Sequence, residues 1–417
     1  MNKISIAEAF QRVVKLKSRG VHFTLMGIGP MSYNCIDATI RLAQKKDFPI
    51  LFIASRNQVD GDEFGGGYVC GFDQKRFKRA VADIAARNGF DGLCYLCRDH
   101  GGPWQRDEER AARLPADRAM AIAVRSYVGD MQAGFDLLHI DPTKDPHIEG
   151  IVPLDLVLDR TEALIGAVEA ERTKRGLPAI AYEVGTEETS GGLTSLTAFR
   201  DFTQKLTHRL NAKGLPRPLF IVGQTGTLTR LTQNVGNYNT EEAVKLTKIA
   251  NEFGLGLKEH NGDYLSNNIL LEHTAIGLDA MNIAPEFGVM ETTAYVELEQ
   301  VEEKFTEKAK RSRITDILTK HAIAGERWRK WMVGSDRTAP AAEVAADTQK
   351  ARLILSMCGH YTLENPDVKA AIAVLTENIT ALGIDARDYV VRRIKDSIDR
   401  YAACFNNYGL TSNLLKA

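Results

Sequence analysis

Eight short apolar segments recur along the first 290 residues, and each runs into polar, glycine-rich or proline-rich residues. They are FTLMGIGP (23–30), ILFIASRNQ (50–58), LCYLCRDH (93–100), LLHIDPT (137–143), AIAYEVGTEE (179–188), PLFIVGQTG (218–226), LGLKEHNGD (255–263) and AMNIAPEFG (280–288). Segments with helical spacing lie between them, such as 74–89, 160–176, 195–214 and 240–254. Because parallel neighbouring strands need a crossover connection, this alternation predicts parallel strands separated by helices.

Eight such units within about 270 residues fit a closed (β/α)8 TIM barrel, an α/β fold. A doubly wound open sheet is the competing architecture, and it usually carries a glycine-rich phosphate loop after its first strand. The segment GIGPMS (27–32) matches that loop poorly, since Pro30 stands where the helix should begin. The sequence therefore predicts that residues 1–305 form a barrel that carries the functional site.

The pattern changes after about residue 305, where the spacing becomes purely helical in 301–323 and 367–403. This change predicts a C-terminal helical extension, residues 306–417, that covers one end of the barrel or forms an interface. The segment ERWRKWM (326–332) places two tryptophans among basic residues. It is expected to be a helix that packs its aromatic side chains on the barrel.

Composition excludes several classes of partner. The net charge of −1 gives no electrostatic reason to expect binding to nucleic acid or an anionic membrane. No apolar run approaches the roughly 20 residues that cross a bilayer. The N-terminal segment reads as an amphipathic helix without the features of a signal peptide, which predicts a cytoplasmic protein.

Six scattered cysteines do not suggest a disulfide scaffold. Cys94 and Cys97, three apart in a predicted strand, should point to opposite faces and share no metal.

The functional site of a (β/α)8 barrel lies at the carboxyl ends of its strands, where the closed sheet brings residues together. The polar residues at those ends are Asn57, Gln58, Asp99, His100, His139, Asp141, Glu183, Glu187, Glu188, Gln224, Glu259, His260, Asp263, Asn282 and Glu286. A single aspartate there can simply cap a helix. His100 and His260 with a carboxylate such as Glu187 would instead bind Zn²⁺, Mn²⁺ or Co²⁺ and leave positions open for substrate.

Five ordered motifs resemble one known family. They are SRNQV with FGGGY (55–68), RDHGGP (98–103), GFDLLHIDPT (134–143), VGTEETSGG (184–192) and EHNGDY (259–264). This series is similar to the tagatose-bisphosphate aldolase non-catalytic subunit family, also labelled tagatose-6-phosphate kinase, over about residues 50–290. That family is related to the class II aldolases, which are (β/α)8 enzymes that use a divalent metal. Members have also been described as metal-dependent ketose-phosphate 4-epimerases.

The resemblance implies roles for individual residues. Class II aldolases carry an Asp-His pair at one strand end, which makes Asp99 the proton carrier and His100 a metal ligand. A second ligand histidine corresponds to His260. The remaining ligand would be Glu187, with Glu188 the less favoured choice. Asn282 matches an asparagine that contacts substrate.

The chain departs from the family pattern at several positions. Arg98 stands where the family has a glycine, and it could bind a carboxylate or a phosphate of the substrate. TLTRLTQN (227–234) has lost an aspartate and a histidine, and NIAPEFG (282–288) places Glu286 near the mouth. These changes favour a broad substrate class, an open-chain ketose or its phosphate. No GxxxxGK[ST] motif is present, so neither a nucleotide nor kinase activity is expected.

This residue set predicts retro-aldol chemistry on a ketose, ketose phosphate or related sugar acid. With the substrate on a divalent metal, Asp99 would remove the C4 hydroxyl proton and return it. Recombination of the fragments gives C4 epimerisation, whereas release of the aldehyde gives aldol cleavage. Glu188, beside Glu187, offers a second possibility, which is proton transfer at the carbon next to the carbonyl. That reaction would need a base on each face of the substrate.

Further polar residues are assigned to the substrate or to support of the site. Asp141 could orient a ligand histidine, bind hydroxyls or cap the following turn. SGG (190–192) could give backbone amides to a phosphate. The hydroxyl-binding candidates are Asn57, Gln58 and Gln224, and the substrate-binding set also includes Glu259 and Asp263.

Two functions of different classes remain open at this point. The first is a metal-dependent epimerase or aldolase-like lyase, because an acid–base group and ligands survive together at the strand ends. The second is a non-catalytic partner that stabilises a separate catalytic aldolase subunit, with the helical extension as its docking surface. In either case the expected ligand is a sugar or sugar phosphate, and the protein is expected to be an oligomer.

Overall fold

The eight apolar segments form parallel strands that close into one barrel, which confirms the predicted (β/α)8 fold. The computed structural model describes residues 3–185 and 194–417. The barrel strands follow the order β1-β2-β3-β4-β5-β6-β9-β10, and β10 pairs with β1. The strands are β1 Leu25–Ile28, β2 Ile50–Ser55, β3 Cys94–Gly101, β4 Leu137–Ile140, β5 Ala181–Gly185, β6 Phe220–Val222, β7 Thr229–Arg230, β8 Gln233–Asn234, β9 Gly256–Glu259 and β10 Ala280–Ile283. Strands β7 and β8 form a small antiparallel hairpin in the loop after β6.

Helices surround the barrel and continue into the C-terminal third. They are α1 Ile6–Ser18, α2 Tyr33–Lys46, α3 Gln74–Arg87, α4 Asp107–Ala111, α5 Ala116–Ala133, α6 Leu154–Lys174, α7 Leu196–Ala212, α8 Thr240–Glu252, α9 Asn267–Ala275, α10 Pro285–Phe305, α11 Ile314–Ala324, α12 Ala341–Ala346, α13 Thr348–Cys358, α14 Pro366–Ala381, α15 Ala386–Cys404 and α16 Leu410–Lys416. Local chemistry explains several starts. Asn239, for example, caps α8 by accepting a hydrogen bond from the backbone N–H of Glu242 at 3.0 Å.

Alternate residues along each strand belong to two different apolar layers. Cys94 packs in the layer between the strands and the outer helices, whereas Cys97 packs inside the barrel. The two thiols therefore lie on opposite faces of β3, and no disulfide joins cysteines of the described residues. Helices α1 and α16 close the amino-terminal end of the barrel. Phe10 and Leu414 join the interior cluster there, and the Phe10 ring lies 4.9 Å from that of Phe220.

The C-terminal extension packs along one side of the barrel and reaches its mouth. Helix α15 contacts α2 and α10, and the Tyr361 ring lies 4.8 Å from that of Tyr68 in the loop after β2. The segment around Trp328 differs from the expected helix on the barrel. It is a 3-10 turn, and Trp328 is buried in a small apolar core of the extension, where its indole N–H donates to Ile323 O.

The division of the chain into a barrel, 1–305, and an extension, 306–417, stays a prediction. Helix α10 begins at the barrel mouth and ends at Phe305. In the part of the chain that the structure describes, no helix is long and apolar enough to cross a bilayer.

Candidate active site

Polar side chains from five barrel strands and the turns after them meet at the carboxyl end of the barrel. The register places His139 beside Glu183 and Ser55 beside Asp99, so inward residues of neighbouring strands lie at one level. We call this group the mouth cluster. Its members are Asp99, His100, His139, Asp141, Glu183, Lys258, His260 and Asn282.

The end of β3 contributes two consecutive residues to the mouth cluster, which a regular strand cannot do. The β3–β4 register shifts between Arg98 and Gly101, and His100 has a φ of 43°. This bulge turns His100 to the same side as Asp99. The RDHGG motif therefore delivers an acid and an imidazole side by side.

The glycines after His100 allow the chain to pass close to its neighbours. A Cβ at Gly101 would lie 2.7 Å from the Tyr127 hydroxyl oxygen, and one at Gly102 would lie 2.3 Å from the backbone oxygen of Asp141. Gly102 also has a φ of 138°, which side chains rarely adopt. Glycine at these positions lets the bulge sit tightly against the loop that carries Asp141.

Three imidazoles form the centre of the mouth cluster. The ring centroids of His100 and His260 are 4.7 Å apart, and His139 lies 5.2 Å from each. One nitrogen from each ring can be chosen so that all three lie within 4.8 Å of one another. Three nitrogen donors at this spacing can hold one divalent cation.

Carboxylates fix the outer nitrogens of two of these rings. His100 Nδ1 lies 2.8 Å from Asp141 Oδ2, and His260 Nε2 lies 3.0 Å from Glu183 Oε1. Burial opposes ionisation of both carboxyls, yet the neighbouring positive groups, His100 for Asp141 and Lys258 for Glu183, lower their pKa values. Ionised carboxylates accept hydrogen bonds and therefore place a proton on each outer nitrogen.

The inner nitrogens of the same two rings then face each other. His100 Nε2 and His260 Nδ1 are 3.0 Å apart. When each ring carries a single proton, on its outer nitrogen, two lone pairs meet at hydrogen-bonding distance. A proton or a metal cation between them would remove the repulsion. The donor set of the site thus fits a cation.

His139, on β4, is the third imidazole of the mouth cluster. Its Nδ1 accepts a hydrogen bond from the backbone N–H of His100 at 3.2 Å. Its Nε2 is buried without a hydrogen-bond partner in residues 3–185 and 194–417. Burial lowers the pKa of His139 to about 4, so the ring is neutral at physiological pH. A neutral imidazole is the form that binds a metal.

Asp99 lies beside the imidazoles and is held by Asn282. The Asn282 amide nitrogen donates to Asp99 Oδ1 at 3.0 Å, while that oxygen is 3.9 Å from His100 Nε2 and 3.7 Å from His260 Nδ1. Burial opposes its ionisation, but the adjacent histidines and Lys258 lower the pKa of Asp99. Asp99 is therefore a carboxylate that can accept a proton.

A buried ion pair supports the cluster from below. Lys258 Nζ lies 2.5 Å from Glu183 Oε2, and both side chains are almost inaccessible to solvent. Burial alone would discharge Lys258, but Glu183 keeps the pKa of the amine above its ordinary value. The ammonium group compensates the charge of the carboxylate that orients His260.

Two sequence-predicted substrate residues lie on the opposite faces of their strands. The fully buried Arg98 pairs with Asp130 and donates to Ala54 O and Val59 O in the layer outside the barrel. Glu259 is likewise buried outside the barrel, with His273 Nε2 2.9 Å away. Alternation along β3 and β9 explains both positions, since Asp99 and Lys258 occupy the inward faces. The placement does not support a substrate role for Arg98 or Glu259.

The other predicted polar residues stand in loops around the mouth. Asn57 donates its amide to Gln105 O at 3.3 Å, and Gln58 accepts a hydrogen bond from the backbone N–H of Ser55 at 2.8 Å. Gln224 is buried, and neither amide atom has a partner among the described residues. A substrate hydroxyl could satisfy the Gln224 amide, whereas the bonds of Asn57 and Gln58 stabilise the loops.

Glu187 and Glu188, assigned to the metal and to proton transfer, lie outside the described residues, as does the glycine pair at 191–192. In contrast, the structure adds roles for residues without a sequence-based assignment. His139 and Glu183 stand among the strand-end polar residues, and their inward positions follow from strand alternation. Lys258 was missed, because a lysine inside a strand gives no signal until its partner Glu183 is known.

Asp263 caps a helix rather than facing the imidazoles. Its Oδ1 accepts hydrogen bonds from the backbone N–H groups of Ala284, at 3.1 Å, and Glu286, at 2.9 Å. Burial, reinforced by the charge of Glu286, raises the pKa of Asp263 to about 8. This value lies above that of an unfolded aspartate, so folding favours the protonated form.

Asp263→Asn is therefore expected to flatten the pH dependence of stability. The stabilisation from protonated Asp263 is complete below pH 4 and is lost as pH rises towards 8. This carboxyl alone should lower the free energy of unfolding by about 1.4 kcal/mol per pH unit in that range. Asparagine keeps the accepting oxygen and does not titrate. Urea denaturation at pH 5, 6 and 7 measures the slope, and Asp117→Asn, at an exposed position, is the control. Identical slopes in wild type and Asp263→Asn would contradict the expectation.

Three solved structures with the same architecture are of proteins whose names refer to sugars. A probable tagatose 6 phosphate kinase from Sinorhizobium meliloti 1021 is 22% identical with a TM-score of 0.76, covering 91% of this chain and 100% of that chain. Fructose-bisphosphate aldolase (Fba) from Campylobacter jejuni is 12% identical with a TM-score of 0.57, covering 97% and 95%. Fructuronate-tagaturonate epimerase UxaE from Cohnella laeviribosi is 12% identical with a TM-score of 0.57, covering 92% and 81%. These likenesses show the shared fold.

Curated proteins give no match to the chain. A family model described as D-tagatose-1,6-bisphosphate aldolase subunit GatZ/KbaZ-like matches residues 10–391. The match spans the barrel and most of the C-terminal extension.

Proposed function

The chain belongs to the GatZ/KbaZ-like family of D-tagatose-1,6-bisphosphate aldolase subunits. From the geometry of the mouth cluster we propose that it is a divalent-metal-dependent enzyme. Its substrate is an open-chain ketose, a ketose phosphate or a related sugar acid. The reaction is retro-aldol chemistry at C3–C4, which leads to C4 epimerisation or to aldol cleavage.

One observation carries this proposal. His100 Nε2 and His260 Nδ1 face each other at 3.0 Å while their outer nitrogens lie against Asp141 and Glu183. The carboxylates hold the outer nitrogens, and either a proton or a metal cation can bridge the two inner nitrogens. The arrangement is the one in which a carboxylate orients each ligand histidine towards a metal.

His100, His139 and His260 would hold Zn²⁺, Mn²⁺ or Co²⁺, and Glu187, which lies outside the described residues, stays a predicted further ligand. The Nδ1 of His139 accepts a backbone hydrogen bond, so the neutral ring carries its proton on the buried Nε2, which has no acceptor within the described residues and would have to lose that proton to bind the metal. A bound divalent cation would supply Lewis-acid stabilisation of the charge that develops on the substrate's carbonyl oxygen.

The proton transfers belong to Asp99. The carboxylate takes the C4 hydroxyl proton, the O–H electron pair forms the aldehyde carbonyl, and the C3–C4 bonding pair stays with the ketose fragment. The protonated Asp99 returns its proton when the fragments recombine. Asn282 orients the acceptor oxygen through its 3.0 Å hydrogen bond. Recombination on the other face of the aldehyde inverts C4. In cleavage the aldehyde escapes, and the proton taken by Asp99 passes to C3 of the remaining fragment.

Metal content of the purified protein tests this proposal. Wild type is expected to bind about one divalent ion per chain, and His100→Ala/His260→Ala should bind none, because three ligands fall to one. His147→Ala/His208→Ala removes two exposed histidines outside the cluster and should keep the metal. Elemental analysis of the three proteins gives the stoichiometry.

Substrate class is tested on the metal-loaded protein. NMR would follow C4 inversion or cleavage of D-tagatose, its 6-phosphate, its 1,6-bisphosphate and D-tagaturonate. Absence of metal in wild type, together with unchanged thermal stability on addition of Zn²⁺, Mn²⁺ or Co²⁺, would refute the metal mechanism. A binding metal should raise the stability by about 2.7 kcal/mol at 100 times its Kd.

The family description favours a second candidate function, since it names a subunit. The chain would then stabilise a separate catalytic aldolase subunit, with the C-terminal extension as the docking surface. Activity would appear only after the two proteins are mixed, and Asp99→Asn would leave the activity of the mixture unchanged. Loss of that activity in Asp99→Asn would exclude this candidate.

A further inference from the structure

The C-terminal extension places Arg327 at the barrel mouth, stacked on two aromatic rings. The Cζ atom of Arg327 lies 4.8 Å from the ring centroid of Tyr68 and 5.2 Å from that of Tyr361. Within residues 3–185 and 194–417, Arg327 has neither an ion pair nor a hydrogen bond. The two aromatic faces therefore fix the guanidinium while its donors stay available.

Lys144 is a second cation that forms no ion pair within the described residues. It is half-buried in the loop after β4, three residues beyond Asp141, which contacts His100 at 2.8 Å. Like Arg327, Lys144 has no ion pair in the described part of the chain. This half-buried amine is close enough to the mouth cluster to act on the charge of Asp141.

Both cations act on the same carboxyl group, Asp107, at the start of α4. Four basic groups lower the pKa of Asp107 although burial opposes its ionisation, and they are Lys330, Arg110, Arg327 and Lys144. Arg110 already forms an ion pair with Asp107. Asp107 thus stands among four cations of the described residues, and we call this group the rim.

Hydrogen bonds connect this rim with the mouth cluster. Asn57 contacts Asp107 through two bonds, with its amide nitrogen 3.5 Å from Oδ1 and its amide oxygen 3.2 Å from the backbone nitrogen. Gln105 donates to the backbone oxygen of Asp141 at 2.9 Å. The rim therefore borders the side of the mouth formed by the loops after β2, β3 and β4.

We propose that Arg327 and Lys144 bind the anionic end of the substrate, a phosphate or a carboxylate at the end of the sugar remote from its carbonyl. This assignment rests on the proposed function, in which the histidines take the carbonyl end. A guanidinium recognises either anion through two parallel hydrogen bonds, and its fixed position reduces the entropy lost on binding. Arg327 and Lys144 would thus provide the positive charge for the substrate anion that the sequence analysis assigned to Arg98.

Calorimetric titration of the metal-loaded full chain tests the site. The probes are inorganic phosphate, D-tagatose 6-phosphate, D-tagaturonate and neutral D-tagatose. Arg327→Gln and Lys144→Gln should each weaken binding of the anionic probes at least tenfold and leave D-tagatose unchanged. Arg352→Gln is the control, because it removes one exposed arginine from α13 that has no ion pair among the described residues. The ratio of the affinities for D-tagatose 6-phosphate and D-tagaturonate shows whether the site prefers a phosphate or a carboxylate.

Equal binding of the anionic probes by the two variants and by Arg352→Gln would overturn the proposal. So would an equal loss for D-tagatose, which would indicate general damage, or a wild type that binds none of the anionic probes. If Arg327→Gln does not fold, Lys144→Gln decides, because Lys144 lies outside the aromatic contacts. Phosphate binding that depends on Arg327 in a chain without metal or ketose chemistry would support the anion site and refute the proposed function alone.

Discussion

Arg98→Met is expected to lower the free energy of unfolding by about 3–5 kcal/mol, because it leaves a buried carboxylate without its partner. The side chains of Arg98 and Asp130 are both inaccessible to solvent. Arg98 Nε donates to Asp130 Oδ2 at 2.8 Å, and its Nη1 donates to Ala54 O and Val59 O, each at 2.8 Å. Methionine fills a similar volume but satisfies none of these acceptors.

Urea denaturation measures this effect, with an exposed ion pair as the matched control. Arg200 and Glu252 lie 2.6 Å apart with exposed side-chain fractions of 46% and 53%. Arg200→Met should cost less than about 1 kcal/mol, since solvent screens that pair. The loss in the free energy of unfolding for Arg98→Lys should lie between those of Arg98→Met and Arg200→Met. Lysine keeps the charge of Arg98 but lacks the planar guanidinium. Equal losses in Arg98→Met and Arg200→Met would show that the buried pair contributes nothing special.

Asp99→Asn is expected to reduce turnover by about 10²–10⁴-fold while the protein keeps its fold and its metal. Asparagine retains an oxygen that can accept the hydrogen bond from Asn282, so the local geometry should survive. The amide cannot take a proton from the substrate hydroxyl. Steady-state kinetics on the ketose identified by NMR, together with elemental analysis, separates lost proton transfer from lost metal.

Asp117→Asn provides the control for this experiment, because it makes the same change at an exposed carboxyl. It should leave turnover and metal content unchanged. Turnover of Asp99→Asn at the wild-type rate would exclude Asp99 as the proton carrier. Loss of both metal and turnover would instead assign Asp99 to the coordination of the ion.

Arg98 and Asp99 show why a strand end read from sequence alone gives an incomplete site. The two residues are adjacent, but β3 directs Arg98 to the layer of helices and Asp99 into the barrel. The sequence identified the polar end of the strand and treated both as site residues. Successive side chains of a strand point to opposite faces, so the two residues are separated. The sequence does not tell which of the two faces the barrel interior.

The barrel could be predicted because its signals are local. Apolar runs of strand length, helical spacing and the Asn239 cap depend on residues near in sequence, and each of the eight predicted segments overlaps a barrel strand. The Asp99–His100 pair and His260 were found in the same way, as polar residues at strand ends. The aromatic segment 326–332 was misplaced, because the extension forms a small core of its own around Trp328.

The sequence by itself determined the alternation of strands and helices, the helical C-terminal third and the end of the barrel at which polar residues gather. These follow from periodicity and from backbone hydrogen bonding within short segments. Only the tertiary structure decided that His139 joins His100 and His260, that Lys258 pairs with Glu183 and that Arg327 reaches the mouth. Those contacts join residues far apart in sequence, and closure of the barrel and packing of the extension set their distances.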